Sequence, residues 1–135
     1  IKINLKNVDY NVLDGIGVRG EYDLLISNIL TEQAGDPEVF VNQYWKTNVD
    51  GSNPQNGSGY SNPEYDALSD QLASEFDPAK RRDIIIKMEK IVQDDAATLI
   101  FGYPQTNMVS NKSVQNANIY PCDYYWVTKD ITPAK

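Results

Sequence analysis

The sequence predicts an α/β fold, with a mixed sheet and three or four helices, for two reasons. Short apolar runs typical of β-strands lie at three places, residues 1–5, 22–27 and 98–103. Of the Asp-Pro and Asn-Pro pairs between these runs, those at residues 36–37, 62–63 and 77–78 precede side chains at helical spacing, which is typical of the start of a helix. Because 135 residues suffice for a hydrophobic core, we expect residues 1–135 to form a single domain.

Residues 1–35 are predicted to hold a strand, a short helix, a second strand and a loop. Apolar and polar side chains alternate over residues 1–5, a period of two that is typical of a half-buried strand. Residues 9–20 have apolar side chains at helical spacing, but the glycines among them favour a short, irregular helix. The continuous apolar run at 22–27 is typical of a strand covered on both faces, and the polar residues 28–35 follow it as a loop.

The strongest helix predictions lie in the middle of the chain, where a proline follows a capping side chain. Asp36 is expected to cap the first of these helices, which has apolar residues at helical spacing over 39–47. Residues 48–60 are rich in Asn, Gly and Ser and are predicted to form a mobile surface loop. The next helix begins either with Ser61 as its cap in a capping box, or with Asn62 as its cap before a proline.

Two consecutive helices are expected to pack as a short antiparallel pair. The apolar stripe of the first consists of Tyr65, Leu68, Leu72 and Phe76. Asp77 is the expected cap of the second, which extends over residues 79–96. Its apolar side consists of Ile84, Met88, Ile91 and Val92.

The end of the chain is predicted to return to β-structure. A strand at 98–103 ends before Pro104, and residues 107–110 are expected to form a short second strand. Residues 120–128 are aromatic and β-prone, and residues 130–135 resemble a frayed tail.

The composition excludes several classes of function. With a net charge of −7, the chain lacks the basic face that phosphate binding needs, so nucleic acid is not expected as a partner. There is no histidine, which removes the commonest general base and the commonest metal ligand. Cys122 is the single cysteine, so an internal disulfide is impossible, and we expect a bystander thiol there. No metal site and no cofactor are predicted.

The sequence shows no segment that would insert into a membrane or direct export. No apolar run approaches the ~20 residues that a membrane helix needs. The chain has neither an initiator methionine nor a signal peptide. We therefore expect a piece of a longer protein, attached to a membrane only through an anchor outside these residues.

The polar loop after the second predicted strand is the main candidate for ligand binding. Ligands of α/β proteins tend to bind at the carboxyl ends of strands. Asn28, Thr31, Glu32 and Gln33 can all form hydrogen bonds there and are the predicted ligand-binding residues, although a surface loop without a ligand stays open. A hydrolase that uses the carboxylates of Glu32 and Asp36 is an alternative. Because Asp36 is better explained as a cap, no catalytic residue is predicted.

Aromatic side chains form a second candidate surface. They are Tyr44, Trp45, Tyr60, Tyr124, Tyr125 and Trp126. Rings with a polar atom suit clefts and interfaces, although most of these are expected in the core. A protein-interaction module that docks through Tyr124, Tyr125 and Trp126 is therefore a further alternative.

Four segments, taken in order, resemble the carboxyl-terminal part of one transport family. They are YDLLISNIL with GDPEVF, SGYSNPEYDAL, FDPAKRRDIIIKMEKIVQDDAATLIFGYP and VQNANIYPCDYYWVTKDI. They are similar to the nickel/oligopeptide-binding proteins of ABC importers, solute-binding protein family 5. The resemblance implies a partial lobe of a two-lobed periplasmic-binding-protein-like fold, whose lobes close around a solute without chemistry.

The resemblance also implies a solute class, a partner and a location. The solute is a nickel chelate or a di- or oligopeptide, and an ABC permease receives it from the full-length protein. The location is extracytoplasmic, as a cell-surface lipoprotein or in the periplasm, and no enzymatic activity is implied. Peptide-binding members place an Asp in the loop to hold the peptide ammonium group. Gln33 stands at the matching position here, with Glu32 beside it, and this departure leaves the choice of solute open.

Overall fold

A computed structural model describes residues 2–29, 36–105, 107–119 and 127–134. In chain order its elements are helices α1 (Tyr10–Arg19), α2 (Pro37–Trp45), α3 (Pro63–Ser74) and α4 (Pro78–Asp94), and strands β1 (Val114–Gln115) and β2 (Thr132–Pro133). Two compact units are present, residues 1–99 and 100–135. Helices and a small sheet together are consistent with an α/β chain. The expectation of a single domain stays a prediction.

Three of the helices begin with the same local arrangement, a capping side chain followed by proline. Asp36 accepts a hydrogen bond from the backbone N–H of Glu38, and Asp77 accepts from the N–H groups of Ala79 and Lys80. Asn62 caps α3, so of the two starts open from the sequence the structure has the second. Each cap satisfies N–H groups that the first helical turn leaves free, and proline loses nothing at that position.

The hydrophobic core of the first unit lies where α2, α3 and α4 pack together. Its buried apolar side chains are Val41, Trp45, Tyr65, Leu72, Ile84, Ile85, Met88 and Val92. The apolar stripes predicted for α3 and α4 are therefore largely confirmed, with Leu68 and Ile91 packed at the margin. Phe76 was predicted in the stripe but is 86% exposed, because α3 ends at Ser74 and the helical spacing stops there.

Helices α3 and α4 form the antiparallel pair that the sequence predicts. Near the end of α3, the carbonyl oxygen of Leu72 accepts a hydrogen bond from Arg81 in the first turns of α4. At the opposite end, Asn62 before α3 donates to Asp95, the residue that directly follows α4. Contacts at both ends fix the two helices side by side in opposite directions.

Helix α1 confirms the short helix predicted within residues 9–20. Asp9 caps its start, and Gly20 ends it in the left-handed conformation, with a φ of 63°. Glycine adopts this conformation without the steric cost that a side chain would add. None of its residues is buried, so α1 contributes little to the core.

The strands predicted at 1–5 and 22–27 are wrong for the residues that the structure describes. Residues 2–5 and 22–27 are irregular, and Leu5, Leu24 and Ile26 are 88%, 84% and 70% exposed. The apolar pattern is present, but a strand needs a neighbouring strand for its backbone hydrogen bonds. Among the described residues no segment pairs with either run.

The second unit contains a two-stranded antiparallel sheet. In its register Val114 lies opposite Pro133 and Gln115 opposite Thr132. The described residues form no sheet besides this antiparallel pair, so the mixed sheet predicted from the sequence is not found among them. The strands predicted at 98–103 and 107–110 are also wrong, since both stretches are irregular and unpaired.

The tail predicted to fray takes part in this sheet instead. Thr132–Pro133 is the second strand, and the backbone N–H of Ala134 donates to the carbonyl oxygen of Ser113 at 2.7 Å. Pairing of backbone groups orders the end of the chain, although its composition is typical of loops. The aromatic prediction at 120–128 lies outside the described residues, except for Val127 and Thr128, which are not in a strand.

Candidate functional site

The loop at 28–35 is the predicted binding segment, and the structure describes its first two residues, 28 and 29. Asn28 is exposed and lies in irregular backbone directly after the second apolar run. Thr31, Glu32 and Gln33 lie outside the described residues, so their contact with a ligand stays a prediction. The described geometry therefore concerns the residues that follow the loop, from Asp36 onwards.

Arg81 anchors the start of α2, directly after the predicted binding loop. The Arg81 guanidinium donates to Asp36 Oδ2 and Glu38 Oε2, each at 2.8 Å, and to the carbonyl oxygens of Leu72 and Glu75 at 2.8 and 2.7 Å. The hydrogen bond to Glu38 is the main reason that the pKa of Arg81 is raised. One side chain on α4 therefore ties the start of α2 to the end of α3.

This anchor bears on the hydrolase alternative. The Asp36 carboxylate accepts from the Glu38 N–H through one oxygen and from Arg81 through the other. Both carboxylate oxygens of Asp36 are therefore used to hold the start of α2. Asp36 thus has the structural role predicted for it, and the pair with Glu32 is not favoured as a catalytic site.

A shallow polar depression lies beside the end of α2, with a volume of about 410 Å³. Its lining consists of Asn42, Gln43, Lys46, Thr47, Ser52 and Asn53. The Lys46 ammonium group at its edge pairs with the Asp70 carboxylate at 2.7 Å. Most of the polar atoms that line the depression already form hydrogen bonds or an ion pair within the chain. The depression is therefore not chosen as the binding site.

Loop 48–60 is held in hydrogen-bonded turns by two asparagine side chains. Asn53 Nδ2 donates to the carbonyl oxygens of Asn42 and Lys46, at 2.9 and 2.7 Å. Asn56 is 3% exposed and also donates to the carbonyl oxygen of Lys46. Both amides thus satisfy the carbonyl group of Lys46 at the end of α2, and Asn53 adds a second donor to the Asn42 carbonyl, which also accepts from the Lys46 N–H. The predicted loop is present, but its fixed turns differ from the mobile segment expected from composition.

Both asparagines were missed as structural residues by sequence reasoning. The signal that was available is the position of the Asn-rich segment directly after a helix end, where unpaired carbonyl groups need donors. Composition predicted the turns but not the inward direction of these side chains.

A polar cluster joins the start of α3 to the end of α4. The Tyr60 hydroxyl donates to Asp95 Oδ2 at 2.6 Å, and Asn62 Nδ2 donates to the same oxygen at 2.9 Å. The hydrogen bond from Tyr60, followed by that from Asn62, lowers the pKa of Asp95. Burial and this hydrogen bond raise the pKa of Tyr60 to about 12.

Of the six aromatic residues in the second candidate surface, the three that the structure describes lie in or against the core, as the sequence predicts for most of the six. Trp45 is buried and packs edge-on against Phe40, with ring centroids 5.1 Å apart. Tyr44 and Tyr60 are half-buried against the same core. The aromatic residues 124–126 lie outside the described residues, so docking through them stays a prediction.

The described part of the chain has neither a cluster of metal-ligand side chains nor a helix that could span a membrane. Within it, no three or more Asp, Glu, Cys or His side chains come together as a metal site would require. Its helices are too short or too polar to span a membrane.

The chain is similar to a bacterial periplasmic binding protein, a class that captures solutes and is not enzymatic. The relative is the probable D,D-dipeptide-binding periplasmic protein DdpA of Escherichia coli (strain K12), which is 32% identical over 102 residues. The matched residues are 76% of this chain and 19% of the relative, so the chain spans about a fifth of that protein's length. The similarity supports a solute-binding protein. Neither a protein-family model nor a solved structure matches the chain.

Proposed function

We propose that this chain is part of an extracytoplasmic solute-binding protein that captures short peptides of the D,D-dipeptide class for an ABC importer. The supporting observation is the 32% identity over 102 residues to a protein named for binding D,D-dipeptides in the periplasm. Because the chain spans 19% of that relative, the proposal includes a longer protein in which these 135 residues form one part. Capture takes place by closure of two lobes and leaves the solute unchanged.

The predicted binding loop would contribute hydrogen bonds to the solute. A dipeptide carries an ammonium group, a carboxylate and one peptide group, and the side chains of Asn28, Thr31, Glu32 and Gln33 offer partners for all three. A site holds a ligand well when its residues are supported by a rigid neighbour. The ion pairs of Arg81 with Asp36 and Glu38 supply that support at the carboxyl end of the loop.

A short peptide is preferred here to a nickel chelate because peptide chemistry is what the relative's name specifies. The preference is tested by isothermal titration calorimetry of the complete protein that contains this chain. Separate titrations would use D-alanyl-D-alanine, L-alanyl-L-alanine, free nickel ions and nickel–histidine complexes. We expect saturable heat with the D,D-dipeptide and weaker binding of its L,L isomer. Heat from nickel or its complexes alone would contradict the peptide proposal.

Substitutions in the loop test the role of its side chains. Thr31→Ala and Gln33→Ala should each weaken dipeptide binding roughly 2- to 10-fold, the effect of losing one hydrogen bond between neutral groups. Gln71→Ala is the matched control, since Gln71 is exposed on α3. Equal affinities for all three variants would remove the loop from the site.

The non-enzymatic mechanism is checked with the same complex. After incubation with the protein, the dipeptide should be recovered intact by mass spectrometry. Release of free alanine that is lost in a Glu32→Gln variant would favour the hydrolase instead.

A further inference from the structure

Loop 48–60 contains a sequence pair with its own chemistry, Asn56 followed by Gly57. Asparagine before glycine is prone to spontaneous deamidation, because glycine has no side chain to hinder attack by its backbone nitrogen on the asparagine amide carbon. Whether this reaction proceeds in a folded protein depends on the freedom of both groups to move. The structure shows that both are held.

The Asn56 side-chain amide uses its full hydrogen-bonding capacity. Nδ2 donates to the carbonyl oxygens of Lys46 and Tyr60, at 3.0 and 2.8 Å. Oδ1 accepts from the Ser58 hydroxyl at 2.9 Å and from the Tyr60 backbone N–H at 3.2 Å. An amide has two N–H donors and two lone pairs, so all four are occupied in a side chain that is 3% exposed.

Gly57 is held by close packing against α1. The carbonyl oxygen of Gly17 occupies the place where a side chain at position 57 would begin, and the Gly57 carbonyl oxygen lies 2.7 Å from the same place on Gly20. No larger residue fits at position 57 without moving α1. The packing that requires glycine there therefore also creates the reactive pair.

We propose that Asn56 is a deamidation site whose reactivity is controlled by the opening of loop 48–60. In the open loop, the Gly57 backbone nitrogen attacks Asn56 Cγ and loses its proton, and ammonia leaves to give a cyclic succinimide. Water then opens the ring, which yields aspartate or isoaspartate at position 56. In the closed loop, the four hydrogen bonds of the amide and the packing of Gly57 keep the two groups from reacting.

After deamidation, loop 48–60 cannot return to the closed conformation that the Asn56 amide holds. A carboxylate has no N–H donors, so aspartate at position 56 would direct negative charge at the carbonyl oxygens of Lys46 and Tyr60. One carboxylate oxygen would keep the donors Ser58 and Tyr60, but the other would face the two carbonyl oxygens without a donor, which is costly in a buried position. Isoaspartate would in addition lengthen the backbone beside Gly57. Deamidation therefore converts a transient opening of the loop into a permanent one.

The rate of the reaction is measured by mass spectrometry of the full chain after incubation in mildly alkaline buffer, with and without denaturing urea. The readout is the mass gain when the amide nitrogen of Asn56 is replaced by oxygen. We expect deamidation at least about tenfold slower in the native chain, which corresponds to a local opening free energy of about 1.4 kcal/mol. Equal rates in the two conditions, or no reaction in urea, would overturn the proposal.

Two pairs of variants separate the loop's control from general instability. Ser58→Ala removes one hydrogen bond to Asn56 and should accelerate native deamidation, whereas Ser52→Ala in the same loop should not. Asn56→Asp should increase protease cleavage within residues 48–60. Gln55→Glu adds the same charge at an exposed neighbouring position and should not increase it. Identical behaviour of either pair contradicts the proposal.

Discussion

Leu72 and Leu24 have the same side chain, but they lie in regions with very different packing. Leu72, on α3, is completely buried against α2 and α4, whereas Leu24 lies in irregular backbone and is 84% exposed. A helix completes its own backbone hydrogen bonds, so a neighbouring helix needs only to cover its apolar stripe. A strand requires a second strand before its apolar face can form at all. Each helix of the core therefore forms from local hydrogen bonds and then packs its stripe against the others, whereas most side chains of residues 21–29 stay exposed.

The two leucines give the largest contrast when each is truncated. Leu72→Ala removes buried methyl groups from the core and should lower the free energy of unfolding by about 2–5 kcal/mol. Leu24→Ala should change it by no more than about 0.5 kcal/mol, the usual range for exposed sites. Urea denaturation followed by far-ultraviolet circular dichroism measures both. Similar losses for the two variants would show that residues 21–29 are packed after all.

The next effect concerns the anchor formed by Arg81. Arg81→Met keeps much of the side-chain volume but removes four hydrogen bonds, two of them to carboxylates. It should destabilise the core less than Leu72→Ala and far more than Arg82→Met, whose parent side chain is exposed. Equal urea midpoints for Arg81→Met and Arg82→Met would contradict the anchoring role of Arg81.

The caps of α4 and α1 are equivalent in geometry, but their removal should have different consequences for stability. Asp77→Ala leaves two N–H groups of α4 without a partner and should lower the free energy of unfolding by about 1 kcal/mol. Asp9→Ala removes the cap of α1, which has no buried residue, and should leave unfolding of the core unchanged. Hydrogen exchange should instead become faster within residues 10–19. Loss of core stability in Asp9→Ala would mean that α1 supports the core.

The smallest expected effect is the pH dependence of the Tyr60–Asp95 contact. Because the pKa of folded Asp95 lies below its ordinary value of 3.8, its stabilisation is complete above that pH. It is then lost as the pH falls through the folded value. The pKa of Tyr60 is raised from 10.0 to about 12, so its contribution is complete below pH 10 and lost as the pH rises towards 12.

Urea midpoints measured across the pH range test this contact. Tyr60→Phe should flatten the profile at both ends, because it removes the hydroxyl group that links the two titrations. Tyr103→Phe, at a position that is 84% exposed, is the control and should follow the parent chain. A profile of Tyr60→Phe that matched the parent would contradict a role for this contact in stability.

The helical part of the fold could be predicted from the sequence because its signals are local. Asp36, Asn62 and Asp77 each precede a proline, and all three cap helices in the structure. Local rules failed where the structure depends on partners distant in sequence. The apolar run at 22–27 is unpaired, and Thr132–Pro133, which belongs to a tail without a strand pattern, is paired.

In the candidate site, too, local features could be predicted from the sequence and contacts between distant residues could not. The role of Asp36 as a cap follows from its neighbours in sequence, whereas its ion pair with Arg81 joins residues 45 positions apart and has no sequence signal. The inward direction of Asn53 and Asn56 depends in turn on where α2 ends, which composition cannot specify. The prediction of Thr31, Glu32 and Gln33 rests on their position after an apolar run, on their hydrogen-bonding groups and on the family resemblance, and it stays a prediction.

The indole of Trp45 has a practical consequence for experiments on this chain. It is 8% exposed, and its Nε1–H donates to the Thr98 hydroxyl at 2.9 Å, which joins the end of α2 to the residues after α4. The chain has only one other tryptophan, Trp126. A Trp126→Phe variant would therefore fluoresce from a single buried chromophore, whose emission colour and intensity would report directly when the core releases the chain beyond it.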